Sequence, residues 1–414
     1  MPAEAAVATA APAAEESRQA WVVVWACFTA LAVIFGVSYS FAAFFASLTR
    51  DFQADRADVS LVFGLSGLVY FLAGAGGGML ADRYGPRLVC SAGMLLIAAG
   101  LLVSSLAQSM AVVYAGYGLG IGLGIALVYT PSIACVQPWY TRRRGLAAGI
   151  ASAGVGAGTV AVPLVATALI GALQWRGAMA VLAVGVLVLG LGAALLLRRA
   201  PSAVAGKGGG AVAGHTLREA MRTPAFRWMY LMLVAASPSM FIPFAHVSAA
   251  ARDLGVADAR AVGLVGLIGI GSLIGRFVIG ALADRAGRPL TLALAQASLG
   301  LSYLLWAAAD GYLAMAVFAL WLGLSYGGIV SLMPALCMDL FGARAVSAII
   351  GTLYSGAAFG NLLGPWLAGA VFDAQRSYLP VTWGCMALSA LATAATCRLI
   401  GPQATARPTT TPLP

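Results

Sequence analysis

Charge is what this sequence has least of. Only 9% of its 414 residues are charged, against 61% hydrophobic, and the mean hydropathy is +0.92. Soluble domains carry about a quarter charged residues, so composition alone excludes a water-soluble globular chain. There is one lysine (Lys207), one asparagine (Asn361) and a pair of histidines. The six cysteines (Cys27, Cys90, Cys135, Cys337, Cys385, Cys397) lack metal or disulfide spacing and read as small apolar packing residues. No metal site and no cofactor is expected. A nucleophile–base constellation is missing too, so the chain does not read as an enzyme. Residues 1–20 hold Glu15 and Glu16 but no apolar signal core, and read as a disordered tail.

What is there in abundance is long apolar runs. Twelve occur, over roughly 21–46, 58–80, 87–107, 110–137, 145–169, 177–197, 227–250, 261–282, 289–309, 311–338, 345–372 and 378–399. Lipid supplies no partner for a backbone polar group, so each run is expected to cross the bilayer as a helix. The expected fold is an all-α polytopic membrane protein with twelve transmembrane helices. The net charge of +10 follows this topology. Seventeen of the 24 basic residues fall on the side of both termini, six fall opposite, and Arg276 lies within a span. That bias is the positive-inside rule and places both termini in the cytoplasm. The charge is therefore topological, and no nucleic-acid partner and no obligate protein partner is implied. A single lysine among so many arginines points to a GC-rich bacterial genome, hence to the inner (plasma) membrane.

The chain also repeats itself. Gly78-Met-Leu-Ala-Asp-Arg-Tyr-Gly85 recurs 202 residues later as Gly280-Ala-Leu-Ala-Asp-Arg-Ala-Gly287, and the same offset pairs Gly149 with Gly351, Gly154 with Gly356 and Pro163 with Pro365. Two homologous six-helix bundles in parallel orientation are implied, with a path for substrate at their interface. The expected organisation is a tail (1–20), an N-terminal bundle (21–198), a cytoplasmic linker (199–226), a C-terminal bundle (227–400) and a cytoplasmic C-terminal tail (401–414). Within the linker, PSAVAGKGGG reads as flexible chain.

The repeated G-x-L-A-D-R-x-G element resembles the loop 2–3 motif of the major facilitator superfamily. That resemblance implies a gating role for Asp82, Arg83 and Arg87, and for Asp284, Arg285 and Arg288, as latches on the cytoplasmic side. Trp139 to Gly154, WYTRRRGLAAGIASAG, resembles the YFxKRRxLAxGxAxAG pattern of the monocarboxylate transporter family. The family's acidic-Gly start to its first helix is replaced here by Arg18-Gln-Ala-Trp-Val-Val-Val-Trp25. Gly149, Gly154, Gly156 and Gly158 give span 5 a small-residue face for close helix contact.

Arg276 stands alone in the apolar run Val262–Asp284, roughly 12 Å from its cytoplasmic end. Placing an arginine at that depth costs about 2.5–3.5 kcal/mol even on the lenient insertion scale. Such a charge faces a wet cavity or an anion, or else snorkels to the interface. Its segment is similar to the span 8 arginine segment of monocarboxylate transporters and of the related oxalate:formate antiporter, which implies that Arg276 binds a carboxylate. A planar fork of donors suits that task. The offset of 202 puts Gly74, not a second arginine, at the mate position. Where the oxalate carrier has a second cation, this chain has Ala357, which favours one carboxylate over two. Where animal relatives carry an aspartate one turn before the arginine, it has Ser272.

Tyr129, Tyr326 and Tyr354 lie at the depth of Arg276 and are candidate substrate contacts, with Tyr39 and Phe41 behind them. Asn361 shares a helix face with Tyr354 and serves either the substrate or a neighbouring helix. No Asp or Glu lies inside a span, Asp339 coming nearest, so a proton has no carboxylate relay. It travels with the substrate, or His246 takes part in coupling or gating. Pro131, Pro163 and Pro365 interrupt their helices and permit bends. The sequence thus predicts a secondary carrier of lactate- or pyruvate-like monocarboxylates by alternating access, with the proton as coupling ion. The alternatives are an anion exchanger of the oxalate:formate type and a multidrug efflux carrier. The latter fits less well, because Arg276 repels lipophilic cations.

Overall fold

The computed structural model describes residues 18–136, 139–140, 144–199, 214–342 and 344–400. The two expected tails (apart from residues 18–20), the PSAVAGKGGG stretch, Arg142 and Arg143 lie outside the described residues. What is described is helical almost throughout. The helices are α1 (Arg18–Phe52), α2 (Arg56–Tyr84), α3 (Pro86–Ser105), α4 (Met110–Val136), α5 (144–173), α6 (175–196), α7 (Pro224–Asp253), α8 (Asp258–Ala286), α9 (Arg288–Ala307), α10 (Tyr312–Phe341), α11 (Val346–Gln375) and α12 (Leu379–Cys397).

Ten stretches of the described residues are long and apolar enough to cross a membrane. One of them, Ala147–Leu196, is 50 residues long, twice what a bilayer needs, and it breaks at Gln174 (φ 57°, ψ 171°) into α5 and α6. The break sits where Trp175 donates to Asp51 (2.6 Å) and Arg176 donates to the Ala107 carbonyl (3.0 Å). With α11 added, the helices make the twelve crossings that the apolar runs predict.

The repeat is visible in the backbone. Gly85 (φ 94°) and Gly287 (φ 87°) make the same turn after the two Asp-Arg pairs, in a conformation open to glycine and strained for other residues. Within the N-terminal half, α5 presses on α1 through glycine: a Cβ on Gly158 would run into the Ala32 carbonyl. In the second part of the expected linker, Leu217–Arg222 forms a short helix. Thr216 and Glu219 close a capping box over its start, Glu219 Oε2 accepting from the Thr216 amide at 2.8 Å. That bond holds the Glu219 carboxyl below its ordinary pKa.

The two halves, α1–α6 and α7–α12, meet unevenly along their length. Toward the end that carries Arg56, α11 lies against α2, from Gly369 beside Ala57 to Gly351 beside Ala75, and α8 lies against α5, from Val160 beside Gly266 to Gly149 beside Phe277. Further toward the end bearing Asp82 and Asp284 no such glycine contact joins the halves among the described residues, and a Cβ on Gly76 or Gly280 would meet nothing within 4 Å. Among the described residues no ion pair crosses between the halves there. Arg288 pairs with Asp339 (2.5 Å) and Arg199 donates to the Ala81 carbonyl (2.9 Å), each inside its own half.

Candidate functional site

Where the halves still touch, they enclose a cavity of about 70 Å³. The N-terminal half contributes Phe35 and Tyr39 from α1, Tyr70 and Phe71 from α2, Tyr129 from α4 and Val155 from α5. The C-terminal half contributes Leu233, Ser237, Met240 and Phe241 from α7, Arg276 from α8, Tyr326, Ile329, Val330 and Met333 from α10, and Tyr354 and Ala357 from α11. Among the described residues, Arg276 is the only charged one in this wall. It is half-buried, and among the described residues it has no hydrogen-bond or ion-pair partner.

Tyr39, Tyr129, Tyr326 and Tyr354 line the same cavity as the guanidinium. Tyr39 and Tyr326 come from different halves and share a hydrogen bond of 3.3 Å. Tyr39 also stacks on Phe244 of α7, centroids 4.1 Å apart, so the three rings roof the cavity toward the Arg56 end. Tyr70, Tyr129 and Tyr354 line the cavity, and their hydroxyls have no hydrogen-bond partner among the described residues. Their rings are held by edge contacts: Tyr129 against Phe35 (5.4 Å, 83°), Tyr70 against Tyr129 (5.6 Å, 87°), and Tyr354 against Phe71 across the interface (5.8 Å, 66°). Packing fixes the rings, and their oxygens remain available.

The comparisons with known proteins follow this geometry. The family model described as Major Facilitator Superfamily matches residues 26–365, with a second, overlapping match over residues 232–414. The chain is 31% identical over 362 residues to monocarboxylate transporter 13 of Bos taurus, covering 86% of this chain and 84% of that one. It is 30% identical over 369 residues to monocarboxylate transporter 3 of Rattus norvegicus, covering 86% and 75%. The chain belongs to the monocarboxylate transporter family of the major facilitator superfamily. It is a transporter and not an enzyme. A bacterial homologue of the human lysosomal transporter Spinster, solved in an inward-facing and unoccupied conformation, shares the fold, with a TM-score of 0.71 over 93% of this chain and 98% of that one at 15% identity.

Within this family member, the cavity gathers Arg276, Tyr129, Tyr326 and Tyr354 of the residues singled out in the sequence, and Tyr39 beside them. Ala357 also faces it, so the position that holds a second cation in the oxalate carrier carries no charge here. Two candidates stand elsewhere. Ser272 is buried with its carbonyl against Gly327 of α10 and is not part of the cavity wall. Asn361 spends its amide on a neighbouring helix, donating to the Gly64 carbonyl of α2 at 3.2 Å, and so ties the halves together. Phe41 is buried among Phe45, Phe63 and Tyr117 in the N-terminal half.

His246 lies away from the cavity with both ring nitrogens engaged, Nε2 with the Pro365 carbonyl (2.8 Å) and Nδ1 with the Tyr378 hydroxyl (2.9 Å). Asp82, Arg83, Arg87, Asp284 and Arg285 are exposed at the end away from Arg56. Sequence reasoning missed Tyr70, Phe35, Phe71 and Phe241. For Tyr70 a signal existed. The offset that pairs Gly74 with Arg276 pairs Tyr70 with Ser272, so the residue one turn from the arginine's mate carries the hydroxyl that Ser272 does not offer.

Proposed function

We propose that the protein is a secondary carrier of organic monocarboxylates, bound through Arg276. The observation that carries this reading is a guanidinium with no partner among the described residues, facing an aromatic cavity between two halves that three tyrosines without a described hydrogen bond also line. A carboxylate takes a two-to-two fork from an arginine and accepts further hydrogen bonds from tyrosines. With no second cation, a dicarboxylate would hold one charge unpaired. The cavity is small, about 70 Å³, which favours a short acid such as lactate or pyruvate over a long acyl chain.

We assign the Asp82–Asp284 end to the cytoplasm by the positive-inside rule, with both termini on that side and the bacterial inner membrane as location. Closure at the Arg56 end then corresponds to an inward-facing state, and transport is a rocking of the two halves. A proton accompanies each anion, so that Arg276 plus substrate plus proton moves no more net charge than the empty carrier. One observation also favours a second reading. Because no acidic residue neutralises Arg276, the empty carrier closes over a bare charge at a cost of about 3–5 kcal/mol, which obligatory exchange of one carboxylate for another avoids.

Liposomes separate these readings. Symport gives accumulation of labelled lactate or pyruvate in empty vesicles under an inward proton gradient, whereas exchange needs a preloaded carboxylate. Arg276→Ala is expected to abolish uptake in either format at unchanged membrane abundance. Normal uptake by that variant would sink the proposal.

A further inference from the structure

At the end opposite the Asp82 and Asp284 turns, the halves are tied by a compact set of charges. Arg56, the first residue of α2, donates from Nη1 and Nη2 to the two carboxylate oxygens of Asp253, the last residue of α7, at 2.8 and 2.6 Å. The same Nη1 donates to the Tyr378 hydroxyl at 2.8 Å, and the guanidinium carbon lies 3.8 Å over the Phe372 ring. The Arg56 side chain is only 19% exposed, so this pair is shielded from screening by salt better than an ordinary surface pair.

Asp373 of α11 completes the set by accepting from the backbone amides of Arg56 (3.2 Å) and Ala57 (2.9 Å). A helix leaves its first four amides without partners, and a carboxylate is the favoured cap. The residue before the helix, Asp55, makes no such bond with its own side chain. The start of a helix in one half is therefore capped by the other half.

His246 anchors the far side of the set. The Pro365 carbonyl only accepts, so Nε2 carries the proton and Nδ1 accepts from Tyr378. Arg56 to Tyr378 to His246 to Pro365 is then a one-way chain of donors that uses the neutral imidazole. The charged or titratable groups facing the ring are Tyr378, Arg56 from α2 and Asp373 from α11, while the Phe45 ring of α1 covers it at 5.6 Å.

We propose that Arg56, Asp253, Asp373 and Tyr378 form the outer gate of the carrier, with His246 as the positioning residue that orients Tyr378. The inference rests on the alternating-access reading, since only a carrier must part its halves here. Opening breaks the ion pair, the cross-half cap and the ring contact together, so the gate behaves as one two-state unit.

Ser248 offers a reporter that needs no substrate. It is buried on α7 between the gate and the cavity, where its hydroxyl donates to the Ala42 carbonyl of α1 at 3.2 Å. Ser248→Cys, in a chain with the exposed Cys397 replaced, is to be labelled from outside right-side-out vesicles with a membrane-impermeant maleimide. Asp253→Asn, Asp373→Asn and Arg56→Gln are each expected to speed labelling about fivefold or more. Parental rates in all three would overturn the gate. Should Arg56→Gln fail to accumulate, the nearly isosteric Asp373→Asn still carries the test. His246→Gln keeps a donor and an acceptor and is expected to label near the parental rate, with His246→Leu faster; equal rates for the two would remove His246 from the gate. Because labelling needs no carboxylate, a wrong substrate assignment leaves this test intact.

Discussion

Tyr70, Tyr129 and Tyr354 line the Arg276 cavity, and no described protein group uses their hydroxyls. A hydrogen bond to a charged group contributes about 1.5–3 kcal/mol, so removing one that forms only with the bound anion should raise KM tenfold or more. Tyr70→Phe, Tyr129→Phe and Tyr354→Phe are expected to show this in uptake assays while their melting temperatures in detergent stay at the parental value. Tyr326→Phe differs, because its hydroxyl already joins Tyr39 across the halves. Arg276→Lys keeps the charge and loses the planar fork, and should retain measurable but at least tenfold weaker uptake. Arg276 was legible in the sequence because a full charge in an apolar run is conspicuous. Ser272 and Asn361 were less legible for the opposite reason: a small polar side chain in a helix has several partners within reach, and only packing selects among them.

Helix contacts turn on backbone proximity. Gly158 in α5 faces the Ala32 carbonyl so closely that a methyl group cannot be added without moving α1, whereas Gly280 in α8 faces open space. Overpacking costs about 1–3 kcal/mol, so Gly158→Ala should lower the thermal midpoint by a few degrees and Gly280→Ala should leave it unchanged. The short linker helix invites a pH test. The folded Glu219 pKa is depressed by the capping bond, so the box is present above the unfolded carboxylate value and is lost as pH falls through the folded one. Limited proteolysis of the linker should therefore accelerate in acid, and Thr216→Ala should accelerate it at neutral pH. The pattern Thr-Leu-Arg-Glu stood in the sequence as a capping box. The glycine-rich stretch before it obscured that signal.

For the molecule as a whole, the absence of any acid within a span predicts an electroneutral cycle. Under symport of one proton with one monoanion, a potassium diffusion potential alone should drive no accumulation, and collapse of the proton gradient should abolish it. Accumulation driven by the potential alone would rule out that stoichiometry. The twelve crossings, their grouping by six and the parallel repeat were legible from apolar run lengths and from one offset that recurs in separate motifs. Which end of the interface is closed was not legible, since both ends carry charged residues able to pair across it. The structure joins Arg56 to Asp253 and leaves Asp82 and Asp284 without a partner across the halves among the described residues.

By itself, the sequence determined the class of the chain, because hydrocarbon admits helices and little else, and it marked Arg276, because a charge in lipid requires a reason. Tertiary structure decided the rest of the cavity, the role of Asn361 between helices and the placement of His246 beside Arg56 and not beside Arg276. The physical cause is one of range. Burial in lipid and helix periodicity act along the chain and can be read from it, whereas hydrogen bonds between residues such as Asn361 and Gly64, or His246 and Tyr378, depend on how helices from two halves are rotated against each other.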